Sequence, residues 1–171
     1  ITKLARRVYQ ALNGETLNAQ ALAFDAKKGN YQYLVTWSDE THIQPLSEAG
    51  YEKIGEADHY FIYRLDREKV SDILITQYGN NEGNQINFCT IETIKGKLIV
   101  IDGGFEADEA YVREVLSLKG NRVNAWILTH YHQDHVGAFS KIYENPGDIK
   151  IGKIYAVPMA PQELYVENAP W

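Results

Sequence analysis

The chain has 171 residues, enough for one domain or for one small domain plus part of another. With 44% hydrophobic and 23% charged residues it is ordinary globular material. Its net charge of -6 argues against a general nucleic-acid-binding surface, which needs clustered Lys and Arg, but leaves room for a local basic groove or for a metal site acting on phosphodiesters. The single cysteine, Cys89, rules out an internal disulfide and, in the strand-like run INFCTI, reads as a buried small hydrophobe. No apolar run approaches membrane-spanning length and no signal-peptide core is visible. The start at Ile1 rather than Met gives the expectation that upstream residues have been removed. Twelve tyrosines hint at a carbohydrate-contacting surface, but amphipathic strands account for them more simply.

Residues 1–13 place Leu4, Val8, Ala11 and Leu12 on one helical face, and Gly14 follows as a stop. Residues 15–66 differ in composition. Two aromatic and β-branched runs, Tyr31 to Trp37 and His59 to Leu65, read as strands, with turns and loop between them at Ser38 to Glu40, Pro45 and Gly50. The stretch Lys27 to Asn30 reads as a turn before the first of these strands. Residues 1–66 are therefore expected to form a small α+β appendage, in which the isolated His42 and His59 are structural.

From Ser71 onward, strands alternate with turns. Ile73 to Tyr78 and Ile86 to Thr93 read as strands flanking a loop at 79–84. Lys95-Gly96 turns the chain into Lys97 to Ile101, an almost continuous apolar strand of the kind buried on both faces. Asp102-Gly103-Gly104 closes it. A helix over 106–119, ended by Gly120-Asn121, leads to a strand over 123–128. A second helix carries Val136, Phe139, Ile142 and Tyr143 on its apolar side, stops at 145–147 and is followed by a strand over 151–157. The order is three strands, helix, strand, helix, strand, which predicts a mixed sheet covered by helices. Sites in such sheets gather at the carboxyl ends of strands, where both Asp102 and the stretch that follows Leu128 fall.

That stretch, WILTHYHQDHVGA from Trp126 to Ala138, holds three of the five histidines. Alternate side chains of an extended chain point the same way, so His130 and His132 can converge on one point. Asp134 and His135, at the turn into a helix, can converge on a neighbouring point. Imidazole nitrogens and a carboxylate suit zinc, and also iron or manganese.

The pattern H-x-H-x-D-H at His130, His132, Asp134 and His135, with Thr129 before it and Gly137 after it, resembles the metal-binding signature of the metallo-β-lactamase-fold hydrolases. The Ile101-Asp102-Gly103-Gly104 turn resembles the first motif of that fold, and the run from Ile73 through Gly104 looks similar to its competence-protein-like branch. The resemblance spans about residues 71–160. It implies an α+β or α/β architecture: half of an αββα sandwich, a mixed sheet with helices on one side, in residues 71–171. It also implies one or two zinc ions, with manganese or iron as alternatives. His130 and His132 would bind the first ion, and Asp134 and His135 the second. Asp134 would be catalytic by orienting the attacking water. Asp102 would hydrogen-bond the loop or a ligand imidazole and hold its ring in one orientation.

The chain departs from the family pattern after His135. No further histidine follows, and the one later aspartate, Asp148, is a turn residue beside Pro146-Gly147. The expectation is therefore the amino-terminal half of a larger hydrolase, inactive alone, that pairs with the missing half or self-associates through an uncovered sheet. Its substrate would be a small molecule, a phosphodiester or another ester, with nucleic acid not excluded. A non-catalytic interaction module on a degenerate fold is the alternative. A purely structural metal site is disfavoured, because such sites usually need more cysteine than the one distant Cys89.

Overall fold

The structure, a computed structural model, describes residues 17–79 and 86–158. The expected helix over 1–13 and most of the loop over 79–84 lie outside them. The chain divides into two compact units. One takes Ile1–Thr76 with Ile91–Lys97, and the other Gln77–Thr90 with Leu98–Trp171.

In the first unit, helix α1 (Ala19–Lys28) is capped by Asn18, whose side chain accepts from the Ala21 N–H at 2.9 Å. Strand β1 (Tyr33–Trp37), a 3-10 turn (Glu40–His42), helix α2 (Ile43–Glu48), and strands β2 (Tyr51–Ala57) and β3 (Tyr60–Leu65) follow. The three strands form an antiparallel sheet in the order β1-β3-β2. Its core gathers Leu22, Ala23, Leu46, Tyr51, Phe61 and Tyr63. The stretch expected as turns and loop between two strands thus contains α2 and β2. Strand β2 buries Tyr51 alone and fills the rest of its length with residues such as Glu52, Lys53 and Glu56, so it has no period-2 apolar pattern. Charges of this kind suit a strand at a sheet edge.

Strands β4 (Ile73–Gln77) and β5 (Phe88–Thr93) have residues in both units, and the second also holds β6 (Leu98–Asp102), helix α3 (Glu109–Leu118), β7 (Arg122–Val123), β8 (Ala125–Leu128), helix α4 (Gln133–Glu144), β9 (Lys150–Ile151) and β10 (Ile154–Ala156). The five-stranded sheet has the order β10-β8-β6-β5-β4. Strands β6, β8 and β10 run parallel, and β5 turns back into β6 through a tight turn at Gly96 (φ +78°). This is the expected mixed sheet with helices. Phe88, Leu98, Val100, Trp126 and Leu128 from the strands pack with Val112, Leu116, Phe139 and Ile142 from α3 and α4.

Four further expectations are corrected. The strand expected over 123–128 is two strands broken at Asn124, whose Oδ1 accepts from the Leu98 N–H at 2.9 Å while its own N–H donates to the Leu98 carbonyl. That detour sends β7 to pair with β9 in a separate two-stranded sheet. The strand over 151–157 is likewise broken, at Gly152, where a Cβ would stand 2.8 Å from the Asn124 carbonyl oxygen. Strand β6 is not buried on both faces: Leu98, Val100 and Asp102 are buried, whereas Ile99 and Ile101 are half-buried. The helices cover one face, so burial alternates along the strand. Cys89 is also half-buried rather than fully inside. Among the described residues no helix is long and apolar enough to cross a membrane.

Helix α4 approaches the backbone of residues 105–106 closely at Gly137. A Cβ there would lie 2.4 Å from the Glu106 nitrogen and 2.6 Å from the Phe105 carbonyl carbon, both backbone atoms that cannot step aside. Gly137→Ala is expected to cost about 1–3 kcal/mol, as overpacking does. Gly79→Ala, where nothing lies within 4 Å, should cost far less. Urea unfolding of both variants checks the difference, and equal midpoints would refute the close-approach account.

Candidate metal centre

Strands β6 and β8 are parallel and paired with Ile101 opposite Ile127. Their carboxyl ends therefore coincide, and Asp102 comes beside Thr129. Asp102 is 5% exposed and sits in the left-handed region at φ +55°. A strained backbone held at a strand end points to a functional constraint. Its carboxylate is fully engaged. Oδ1 accepts from the Thr129 N–H at 2.8 Å, and Oδ2 accepts from the Thr129 hydroxyl at 2.7 Å. Oδ2 also lies 2.8 Å from His135 Nδ1. A carboxylate so supplied can only accept, so His135 donates its Nδ1–H and turns its Nε2 away from Asp102. The Asp102 carbonyl accepts from the buried Trp126 indole N–H at 2.9 Å.

The glycines after Asp102 complete the support. Gly104 (φ +79°) donates its N–H to the Asn87 carbonyl at 3.1 Å and accepts from the Ala138 N–H at 3.2 Å. A Cβ on Gly104 would meet Ile86 at 2.7 Å and Asp108 at 2.8 Å. The turn is thus laced to the start of β5 on one side and to α4 on the other.

His132 is the N-cap residue of α4, and its carbonyl accepts from the His135 and Val136 N–H groups. Asp134 falls in the first helical turn, where a negative charge is favoured by the helix dipole. Asp134 and His135 are thus part of the helix rather than of the turn before it. The ring of His130 stands 3.7 Å, centroid to centroid, from that of His135 and 4.5 Å from that of His132. Asp134 Oδ2 lies 3.4 Å from His135 Nε2 and accepts from Asn87 Nδ2 at 2.6 Å. The structure therefore brings His130, His132, Asp134 and His135 into one cluster beside Asp102. It does not separate them into a His130–His132 pair and an Asp134–His135 pair. Among the described residues no group of three or more His, Cys, Asp or Glu side chains is placed so that it could hold a metal ion. The donor chemistry, neutral imidazoles with a carboxylate, nonetheless fits a divalent metal.

Asn87 was not singled out from sequence. The available signal was weak: an amide in an otherwise apolar run, INF, at the start of a strand. His42 lies in the other unit, 3.7 Å from Asp39.

The metallo-beta-lactamase superfamily model matches residues 83–167. This segment belongs to the metallo-beta-lactamase superfamily. The match covers Asn87, Asp102 and the whole histidine cluster, and leaves most of the first unit outside. Searches of curated proteins and of solved structures gave no match. Within the superfamily segment, Asp102 is the group on which three donors converge. Asp102→Asn keeps its shape but brings an amide N–H₂ against those donors. It is expected to cost about 1–3 kcal/mol, the range for a buried group left without its partner. Urea unfolding should show this loss, and an unchanged midpoint would show that the carboxylate is dispensable.

Proposed function

We propose that the chain carries the metal-binding part of a metal-dependent hydrolase acting on phosphodiester or other ester-type substrates. The observation that carries this reading is the Asp102–His135 contact. The carboxylate faces Nδ1 and so turns Nε2 towards Asp134 Oδ2, at 3.4 Å. A ring nitrogen and a carboxylate oxygen turned to the same space are both ligand types for a divalent cation. A carboxylate–histidine pair of this kind is the usual support of a metal-ligating imidazole.

In this reading His130 and His132 would hold one ion, and Asp134 and His135 a second, zinc being the first choice. When bound, such an ion supplies Lewis acidity, polarising an ester or phosphoryl oxygen and bringing the pKa of water towards about 7. Asp134 orients the attacking water, and Asp102 keeps the His135 ring from turning. Catalytic zinc sites use three protein ligands per ion, so the reading assigns the remaining ligands to a segment outside the four residues of the cluster, supplied by a longer protein or by association.

A second reading, a non-catalytic interaction module on a degenerate fold, is favoured by one observation: no three-donor group lies among the described residues. Metal content separates the two. The hydrolase reading expects purified protein to retain zinc or manganese and His132→Ala to lose it. It also expects hydrolysis of a phosphodiester or ester by the metal-loaded, full-length protein to fall at least about 100-fold in that variant, as for loss of a metal-supported step. Metal-free protein that takes up no ion, or a variant with full activity, would leave the interaction reading standing.

A further inference from the structure

Asp134 is held from one side by a residue far from it in sequence. Asn87 Nδ2 donates to Asp134 Oδ2 at 2.6 Å, a close contact for an amide N–H, as suits a charged acceptor. Asn87 is itself fixed, because its carbonyl accepts from Gly104, two residues after Asp102. The ends of two adjacent strands therefore each hold one member of the helix α4 pair: Asp102 holds His135, and Asn87 holds Asp134.

We propose that Asn87 is a positioning residue for Asp134, fixing that carboxylate beside the His135 ring so that both remain available to a divalent cation. This rests on the metal-binding reading above. The same oxygen lies 3.4 Å from His135 Nε2. Without the amide, Asp134 Oδ2 loses its one neutral donor among the described contacts. It is then free to rotate into solvent, since its side chain is 23% exposed. That movement removes a ligand from the cluster. The amide is suited to the task because it donates one hydrogen and carries no charge, leaving Oδ1 and the second lone pair of Oδ2 for a cation.

The test uses the 171-residue protein and Co²⁺ alone, followed by visible absorption and by calorimetry, with Asn87→Leu (matched in shape, no donor) and Asn87→Ala. Far-UV circular dichroism identifies which variants fold. The expected result is Co²⁺ affinity lower by about 10–100-fold, the usual loss when the support of a metal ligand is removed, together with a changed visible band per bound ion. A merely structural Asn87 would reduce the folded fraction and leave both the band and the affinity of the folded fraction unchanged, which would overturn the proposal. Failure of the wild-type protein to bind Co²⁺ would instead sink the metal-binding reading itself, and the two failures are distinguishable. Should neither variant fold, the side-chain amide protons of Asn87 in metal-free wild-type protein give a second measurement. They are expected to shift downfield and to lose that shift in Asp134→Ala. An unshifted resonance would overturn the proposal.

Discussion

The second unit depends on a buried carboxylate at the end of a parallel strand pair. Asp102 is almost fully enclosed, and an enclosed charge is costly unless it is met by donors. The donors are the Thr129 amide, the Thr129 hydroxyl and the His135 ring, so the cost is offset only when β8 ends beside β6 and helix α4 starts where it does. One side chain thereby links the end of one strand, the loop after the next and the first turn of a helix. The left-handed backbone at Asp102 fits this arrangement, because strain of this sort persists only where the surroundings over-determine it.

Packing reinforces the same three elements. The Trp126 indole, wholly buried, donates to the Asp102 carbonyl and meets Phe139 of α4 edge-on at 5.0 Å. Gly137 lets α4 approach the backbone after Gly104 more closely than any side chain would allow. The histidines therefore sit on a loop and helix start whose position is set by a hydrophobic contact, a backbone contact and a buried polar contact acting together. Function placed on loops that a rigid sheet positions is a common solution.

What was legible in the sequence follows the strength of the local pattern. Strand β6 and helix α3 announce themselves because their buried apolar residues recur at the period of the element. Helix α1 does not, because much of its buried face is alanine (Ala19, Ala23, Ala26), which contrasts little with its neighbours. Strand β2 buries a single tyrosine. The break at Asn124 is invisible locally because its cause is a bond to Leu98, a residue distant in the chain. The histidine cluster could be read ahead since its members lie within six positions. Asn87 could not, since its partner is 47 residues away and nothing near it in sequence marks the amide as other than a strand-end residue.

The cluster also shows how far the fold goes towards chemistry. Three imidazoles and one carboxylate are drawn together with ring separations of 3.7 and 4.5 Å, yet the rings pack on one another instead of surrounding a common point. Asp102 and Asn87 each meet one member, His135 and Asp134. His130 is met by Thr129, whose hydroxyl lies 3.1 Å from its Nδ1 but already donates to Asp102 and can only accept from the ring. The helix-borne half of the cluster, Asp134 and His135, is thus met by an amide and a carboxylate, and the loop-borne His130 by a hydroxyl.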